Sequence, residues 1–233
     1  MTVFPFHCAL IVGAGEGISA SLARRLAEKG VKVGLAARNI DKLASLVAAT
    51  GAKAFAADAS KAQQVMDLFT QVDLQLGEPD VVIYNASSRV SGPLATLDPP
   101  AVGQSIAVTA YGAFLVAQQA AKRMEPKGHG AILFTGATAG VKGFAQSAPF
   151  AMGKFALRGL AQSAARELGQ KGIHVAHFNI DGAVRSAGRT NPLHESDSML
   201  DPEAIAQTYI DVLAQPRNAW SHEIDLRPWT ERF

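Results

Sequence analysis

The sequence predicts an α/β fold: a doubly wound, mainly parallel sheet with helices on both faces. Three observations predict it. Short apolar runs alternate with segments of helical periodicity along the chain, as repeated strand–helix units do. The runs are nearly continuous in apolar residues, a pattern that suits strands covered on both faces. A glycine-rich turn joins the first run to the first helical segment, and in open α/β sheets ligands bind beyond the carboxyl ends of the strands.

CALIV (8–12) is the first strand, and ISASLARRLAEKG (18–30) the helix after it. VKVGLAA (31–37) precedes a helix in DKLASLVAATG (41–51). AKAFAA (52–57) precedes a helix from about Ala62 to Leu76. DVVIYN (80–85) leads through a Ser/Gly/Pro loop to a long helix near 100–124. AILFTG (131–136) precedes the helix that carries FAMGKFALRGLAQSAAREL (150–168). IHVAHFNI (173–180) is followed by a loop and a helix near 202–214, and HEIDL (222–226) is the seventh strand. Gly30, Gly51 and Gly172 stand where helix C-caps are expected.

A chain of 233 residues, with 48% hydrophobic and 18% charged residues, is expected to form one domain over 1–233. Its net charge of +2 is spread among mixed signs, so neither nucleic acid nor an anionic membrane is an expected partner. The single cysteine, Cys8, excludes an internal disulfide and fits a cytoplasmic location. The apolar N-terminus lacks a preceding Lys or Arg and reads as a strand rather than a signal peptide. The most apolar long stretch, 106–121, is interrupted by Thr, Tyr and Gln, and no membrane span is expected. No spacing of His, Cys and carboxylates suggests a metal site.

VGAGEGIS (12–19) occupies the strand–turn–helix context that a dinucleotide turn requires. Gly13, Gly15 and Gly17 let the backbone approach a pyrophosphate, and the helix beginning at Ile18 offers unpaired N–H groups and a positive dipole end. Here the chain resembles the short-chain dehydrogenase/reductase family, whose first signature is Gly-x-x-x-Gly-x-Gly. Gly13 and Gly17 match it, and Ser19 takes the third glycine's place. The resemblance extends over nearly the whole chain and implies a Rossmann-type sheet that binds NAD(P)(H).

The second strand ends in Ala37-Arg38-Asn39, with no acidic side chain to accept from a ribose 2′-hydroxyl. Arg38 presents a planar fork suited to a 2′-phosphate, so NADP(H) is preferred over NAD(H), with Asn39 alongside. The plainer alternative for Arg38 is a solvated surface side chain. By resemblance, Asp58 meets the adenine amino group, with Ala59 next to it, and YNAS (84–87) is similar to the family's Asn-Asn-Ala-Gly segment. Asn85 and Ala86 match that segment; Tyr84 and Ser87 depart from it. A turn role is the alternative for Asn85.

The resembled family reduces carbonyls with an Asn, Ser, Tyr and Lys set, of which only the lysine is present. Its Tyr-x-x-x-Lys becomes Phe150-x-x-x-Lys154, its Ser becomes Ala137, and its Asn falls on Thr109. Lys154 is thus the matching catalytic position, expected also to hold the nicotinamide ribose. Four residues apart on a helix, Phe150 and Lys154 share one face. Loss of a general acid costs ~10²–10⁴-fold in rate, and loss of an oxyanion donor a further ~10²–10³-fold if independent. Tyr111 and Ser147 are candidate substitutes. Asp181, with Gly182 and Val184 after the sixth strand where the family has Pro-Gly against the nicotinamide, is a displaced acid or, more plainly, a turn residue. His174 and His177 read as packed residues.

The polar segment 186–200 is placed as a substrate lid, and the resemblance implies a homodimer or homotetramer. Two functions follow: an atypical NADP(H)-dependent oxidoreductase with an unknown carbonyl or alcohol substrate, or a catalytically silent NADP(H)-binding sensor or partner subunit. A third option is an enzyme of another type, such as a lyase or dehalogenase, on the same scaffold.

Overall fold

The computed structural model describes residues 4–186, 189 and 197–231. Seven strands form one sheet in the order β3-β2-β1-β4-β5-β6-β7, and every neighbouring pair is parallel. They are β1 Cys8–Val12, β2 Lys32–Ala37, β3 Lys53–Ala56, β4 Val81–Tyr84, β5 Gly130–Thr135, β6 Ile173–Ile180 and β7 Glu223–Leu226. The helices between them are α1 Ile18–Glu28, α2 Ala44–Thr50, α3 Ala62–Gln75, α4 Pro99–Ile106, α5 Gly112–Met124, α6 Ala148–Gly169 and α7 Pro202–Leu213.

Both faces of the sheet are covered, which explains the unbroken apolar runs. Along β1, Ala9 and Ile11 face the layer containing Leu22, Leu26 and Tyr209 of α1 and α7. Leu10 and Val12 face the layer containing Phe69, Val116 and Leu157 of α3, α5 and α6. A fully buried Leu or Ile side chain contributes ~1.5–3 kcal/mol, so β1 anchors both layers. Gly51 caps α2 in the left-handed conformation, while Gly30 and Gly172 follow just beyond the caps of α1 and α6 with positive φ. The strand order reverses between β1 and β4, where Val12 pairs with Tyr84. That switch point is the usual ligand crevice of a doubly wound sheet.

The helix expected near 100–124 forms, but with a π turn over Ala107–Tyr111 between α4 and α5. Gly112 N–H donates to the Ala107 carbonyl. This frees the Val108 carbonyl to accept from the Tyr84 hydroxyl. An inserted side-chain donor is one of the recognised causes of such an irregularity. A Cβ at residue 112 would lie 2.5 Å from that hydroxyl, so only glycine fits this crossing. The continuous run Pro99–Lys127 has 29 residues and is long and apolar enough to cross a membrane, contrary to the sequence expectation. Its apolar face is instead used internally: Ala113, Val116 and Ala120 are buried in the core layer beside β4 and β5.

Candidate functional site

The glycine turn is fixed by sterics and by two side chains. Gly13 has φ of 84°, and a Cβ on it would come within 2.3 Å of the Ala86 backbone nitrogen. Ser19, fully buried, donates to the Gly13 carbonyl at 3.3 Å and accepts from Asn85 Nδ2 at 2.8 Å. The residue in place of the third glycine therefore ties the turn to the loop after β4, and Asn85 does more than form its own turn. Gly15 and Gly17 face open space, where a Cβ would meet nothing within 4 Å. The N-cap of α1, Gly17, provides no side-chain acceptor. Its first N–H groups are thus left for an anion, and this geometry fits a dinucleotide's pyrophosphate.

Two cavities lie along the carboxyl ends of the strands. The smaller, about 330 Å³, is walled by Gly13, Arg38, Asn39, Asp58, Ala59 and Ala86. Lys42 adds a second cation there, which was legible only as a lysine four residues after Arg38. Burial pushes the Asp58 carboxyl up, but the Ser60 N–H and hydroxyl, with the charges of Arg38 and Lys61, leave it below its usual range. Asn85 and Ser87 wall both cavities. Gly15 and Gly17 line a separate depression together with Arg24 and Lys42.

The larger cavity, about 530 Å³, holds Ile18, Gly182 and Val184 on one side and Phe150, Lys154 and Ala137 on another. Phe150 and Lys154 do share one helix face, with Lys154 Nζ 5.9 Å from the ring centroid. Lys154 is only 3% exposed and donates to the Thr135 carbonyl at 2.6 Å. Burial, and then the nearby charge of Arg89, lower its pKa to about 7. The wall at Ala137 carries no hydroxyl, but Thr138, Ser147 and Ser87 line the same cavity. Thr135 is committed elsewhere, its hydroxyl 2.9 Å from that of Tyr209.

Three candidates lie away from the cavity lining. Thr109 is fully buried, and its hydroxyl accepts from Ser88 N–H at 3.1 Å. Tyr111 projects from the outer side of the π turn, 49% exposed and stacked on Phe114. Asp181 is drawn toward the end of β7: its N–H donates to the Leu226 carbonyl, and its carboxylate pairs with Arg227 at 3.6 Å. His174 and His177 are buried in β6. Most of the expected lid, 187–188 and 190–196, lies outside the described residues.

Arg89 was missed. Its guanidinium lies 4.3 Å over the Phe150 ring in the larger cavity. Nothing local in the sequence announces this, because the contact joins residues 61 positions apart.

Sheet order, glycine turn and paired cavities define a dinucleotide-binding protein of the doubly wound α/β class. The chain belongs to the short-chain dehydrogenase/reductase family: the model described as short chain dehydrogenase matches residues 7–194. It is 29% identical to an uncharacterised oxidoreductase of Staphylococcus aureus strain N315, covering 98% of this chain and all of that one. Among solved structures it resembles a short-chain dehydrogenase from Rhodopseudomonas palustris, with TM-score 0.82, 32% identity, and 96% and 99% of the two chains covered. A metagenomic short-chain oxidoreductase solved with NADP gives TM-score 0.83 at 29% identity, covering 95% and 97%.

Proposed function

We propose that this protein is an NADP(H)-dependent oxidoreductase acting on a carbonyl or alcohol substrate. The observation that carries this reading is the pairing of cavities. One is lined by Arg38 and Lys42, with no acidic residue at the end of β2 in Ala37-Arg38-Asn39; the other contains buried Lys154. They meet at Asn85 and Ser87. Arg38 and Lys42 suit a 2′-phosphate. The relative solved with NADP supports that preference.

When bound, the coenzyme supplies or accepts the hydride. The chain's own residues then position the reactants and handle the proton. Gly13 and the start of α1 hold the pyrophosphate, while Ile18, Gly182 and Val184 flank the nicotinamide end. Phe150 gives the cavity an apolar wall and carries no proton. Lys154 Nζ, with its pKa brought near neutrality, is the group that gives up or takes a proton in physiological conditions, a task for which such a pKa is suited. Thr138, Ser147 and Ser87 are the hydroxyls placed to bind the substrate oxygen.

Calorimetry with NADPH and NADH, followed by an absorbance screen of carbonyls and alcohols, tests this. Tighter NADPH binding with measurable turnover is expected. Tight binding with no turnover across the screen would leave a silent NADP(H)-binding protein, and no binding of either coenzyme would end the proposal.

A further inference from the structure

The larger cavity carries cationic side chains beyond the one the proposed proton chemistry uses. Arg89, Lys154 and Arg189 line it, and no Asp or Glu is among the described residues of its wall. Arg89 makes no hydrogen bond or ion pair with any described residue. What holds it is an apolar surface: the guanidinium lies 4.3 Å over the Phe150 ring. A ring at this distance takes up one side of the guanidinium without accepting a conventional hydrogen bond from it, which leaves its N–H groups for another partner.

The backbone beneath Arg89 is also fixed. Ser88, the preceding residue, donates its N–H to Thr109 Oγ1 at 3.1 Å, and its carbonyl accepts from Ser105 Oγ at 2.9 Å. Both of those side chains are fully buried. The π turn that carries Thr109 thus serves the loop bearing Arg89. A cation has been set on a built platform, beside a second cation at Lys154, without a counter-charge among the described residues. Like charges brought together in this manner favour an anion between them.

The coenzyme's phosphates are expected at the glycine turn, on the Gly13–Ile18 side. The anion near Phe150 is then a part of the substrate. We infer that this site takes a small oxo acid, or the corresponding hydroxy acid, whose carboxylate is held by the in-plane N–H groups of Arg89. A planar two-pronged donor matches a carboxylate edge to edge. The volume of about 530 Å³, shared with the nicotinamide end of the coenzyme, restricts the substrate to a small molecule. This inference rests on the oxidoreductase reading for the reaction, but the carboxylate contact itself does not need turnover.

The test uses the full-length protein, with and without saturating NADPH. Pyruvate, acetoacetate and 4-oxopentanoate are each titrated against their methyl esters, which keep the ketone and remove the charge. Binding is followed by calorimetry and, with coenzyme, by the fluorescence of NADPH. At least one acid is expected to bind about 10-fold or more tightly than its ester, the range of a charge-assisted hydrogen-bonded contact. R89M is expected to abolish that preference and R89K to restore only part of it, with NADPH affinity unchanged. Acids and esters binding alike, or an acid preference that survives R89M, would overturn the inference. So would a fall in NADPH affinity in R89M, which would assign Arg89 to the coenzyme. If NADPH fails to bind while the acids still show Arg89-dependent binding, the carboxylate site stands and the oxidoreductase reading falls.

Discussion

Adding hydroxyls at positions 150 and 137, where the resemblance would place a Tyr and a Ser, tests whether the rest of the cavity is arranged for carbonyl reduction. In F150Y the new phenol stands on the cavity wall, because Phe150 lines it while being only 6% exposed. Lys154 Nζ lies 5.9 Å and the Arg89 guanidinium 4.3 Å from the existing ring. Both are cationic sites and favour the phenolate, bringing the hydroxyl below the usual ~10. A general acid in place contributes ~10²–10⁴-fold. Adding A137S supplies an oxyanion donor that contributes up to a further ~10²–10³-fold. The two act on one transition state, so the double variant is expected to gain less than their product. The structural cost is small, since an unpartnered hydroxyl costs ~1–3 kcal/mol only where water cannot reach it, and this one faces a cavity. The assay is loss of NADPH absorbance with a carbonyl panel, accompanied by a thermal melt and a coenzyme titration. A folded, NADPH-binding double variant that is no faster than the parent would refute the reasoning, because the substrate would then not meet residues 137 and 150.

Other substitutions probe the remaining parts. G13A is expected to abolish coenzyme binding and lower the melting temperature, since the added Cβ would sit 2.3 Å from Ala86 N on a backbone with φ of 84°; calorimetry and a melt check both. R38A is expected to weaken NADPH about 10-fold or more while leaving NADH within about 3-fold; equal losses for both coenzymes would deny Arg38 the 2′-phosphate. Lys154 is lowered from 10.5 to about 7, so between those values the unfolded chain binds more protons and coenzyme-free stability rises with pH; denaturant titrations from pH 7 to 9 should show a component of that rise that disappears in K154M. His177 is lowered from 6.5 to about 4, chiefly by burial; above 6.5 it contributes nothing, and as pH falls from 6.5 toward 4 it removes up to roughly 3 kcal/mol. H177Q should flatten that acid limb in the same titrations.

The strands were legible because burial on both faces leaves a local mark, a run such as CALIV with no polar interruption. The glycine turn was legible because steric need is local too: Gly13 has a backbone that other residues rarely adopt. The π turn was not, since it arises when the Tyr84 hydroxyl takes a carbonyl 24 positions away. Ser19 looked like a tolerated small residue and is in fact the polar link between Gly13 and Asn85. Tyr111 and Thr109 were placed near the site by their helix, but helical phase sends one outward and the other beneath the loop after β4. Asp181 followed the sixth strand as expected, yet its direction depended on Arg227 beyond β7. For the π turn, Ser19, Thr109 and Asp181 the deciding partner was distant in sequence.

Phe150 is the residue through which these observations connect. On the proposed reading, it stands where the resembled family has its proton-donating Tyr and carries no hydroxyl. The same bare ring provides the flat apolar face on which Arg89 rests. Arg89 in turn helps to depress the pKa of Lys154. Neutralising Arg89 with a bound carboxylate would relax that effect and return Lys154 toward its protonated form as substrate arrives. A cavity so arranged is best loaded with its acid when an anion is in place, so F150Y and R89M should not behave independently. On the proposed mechanism, Arg89 should matter more to turnover in the parent, where proton exchange is assigned to Lys154, than in F150Y, which carries its own phenol. A double-mutant cycle on kcat/KM measures that difference, and strict additivity of the two substitutions would separate Arg89 from the proton donor.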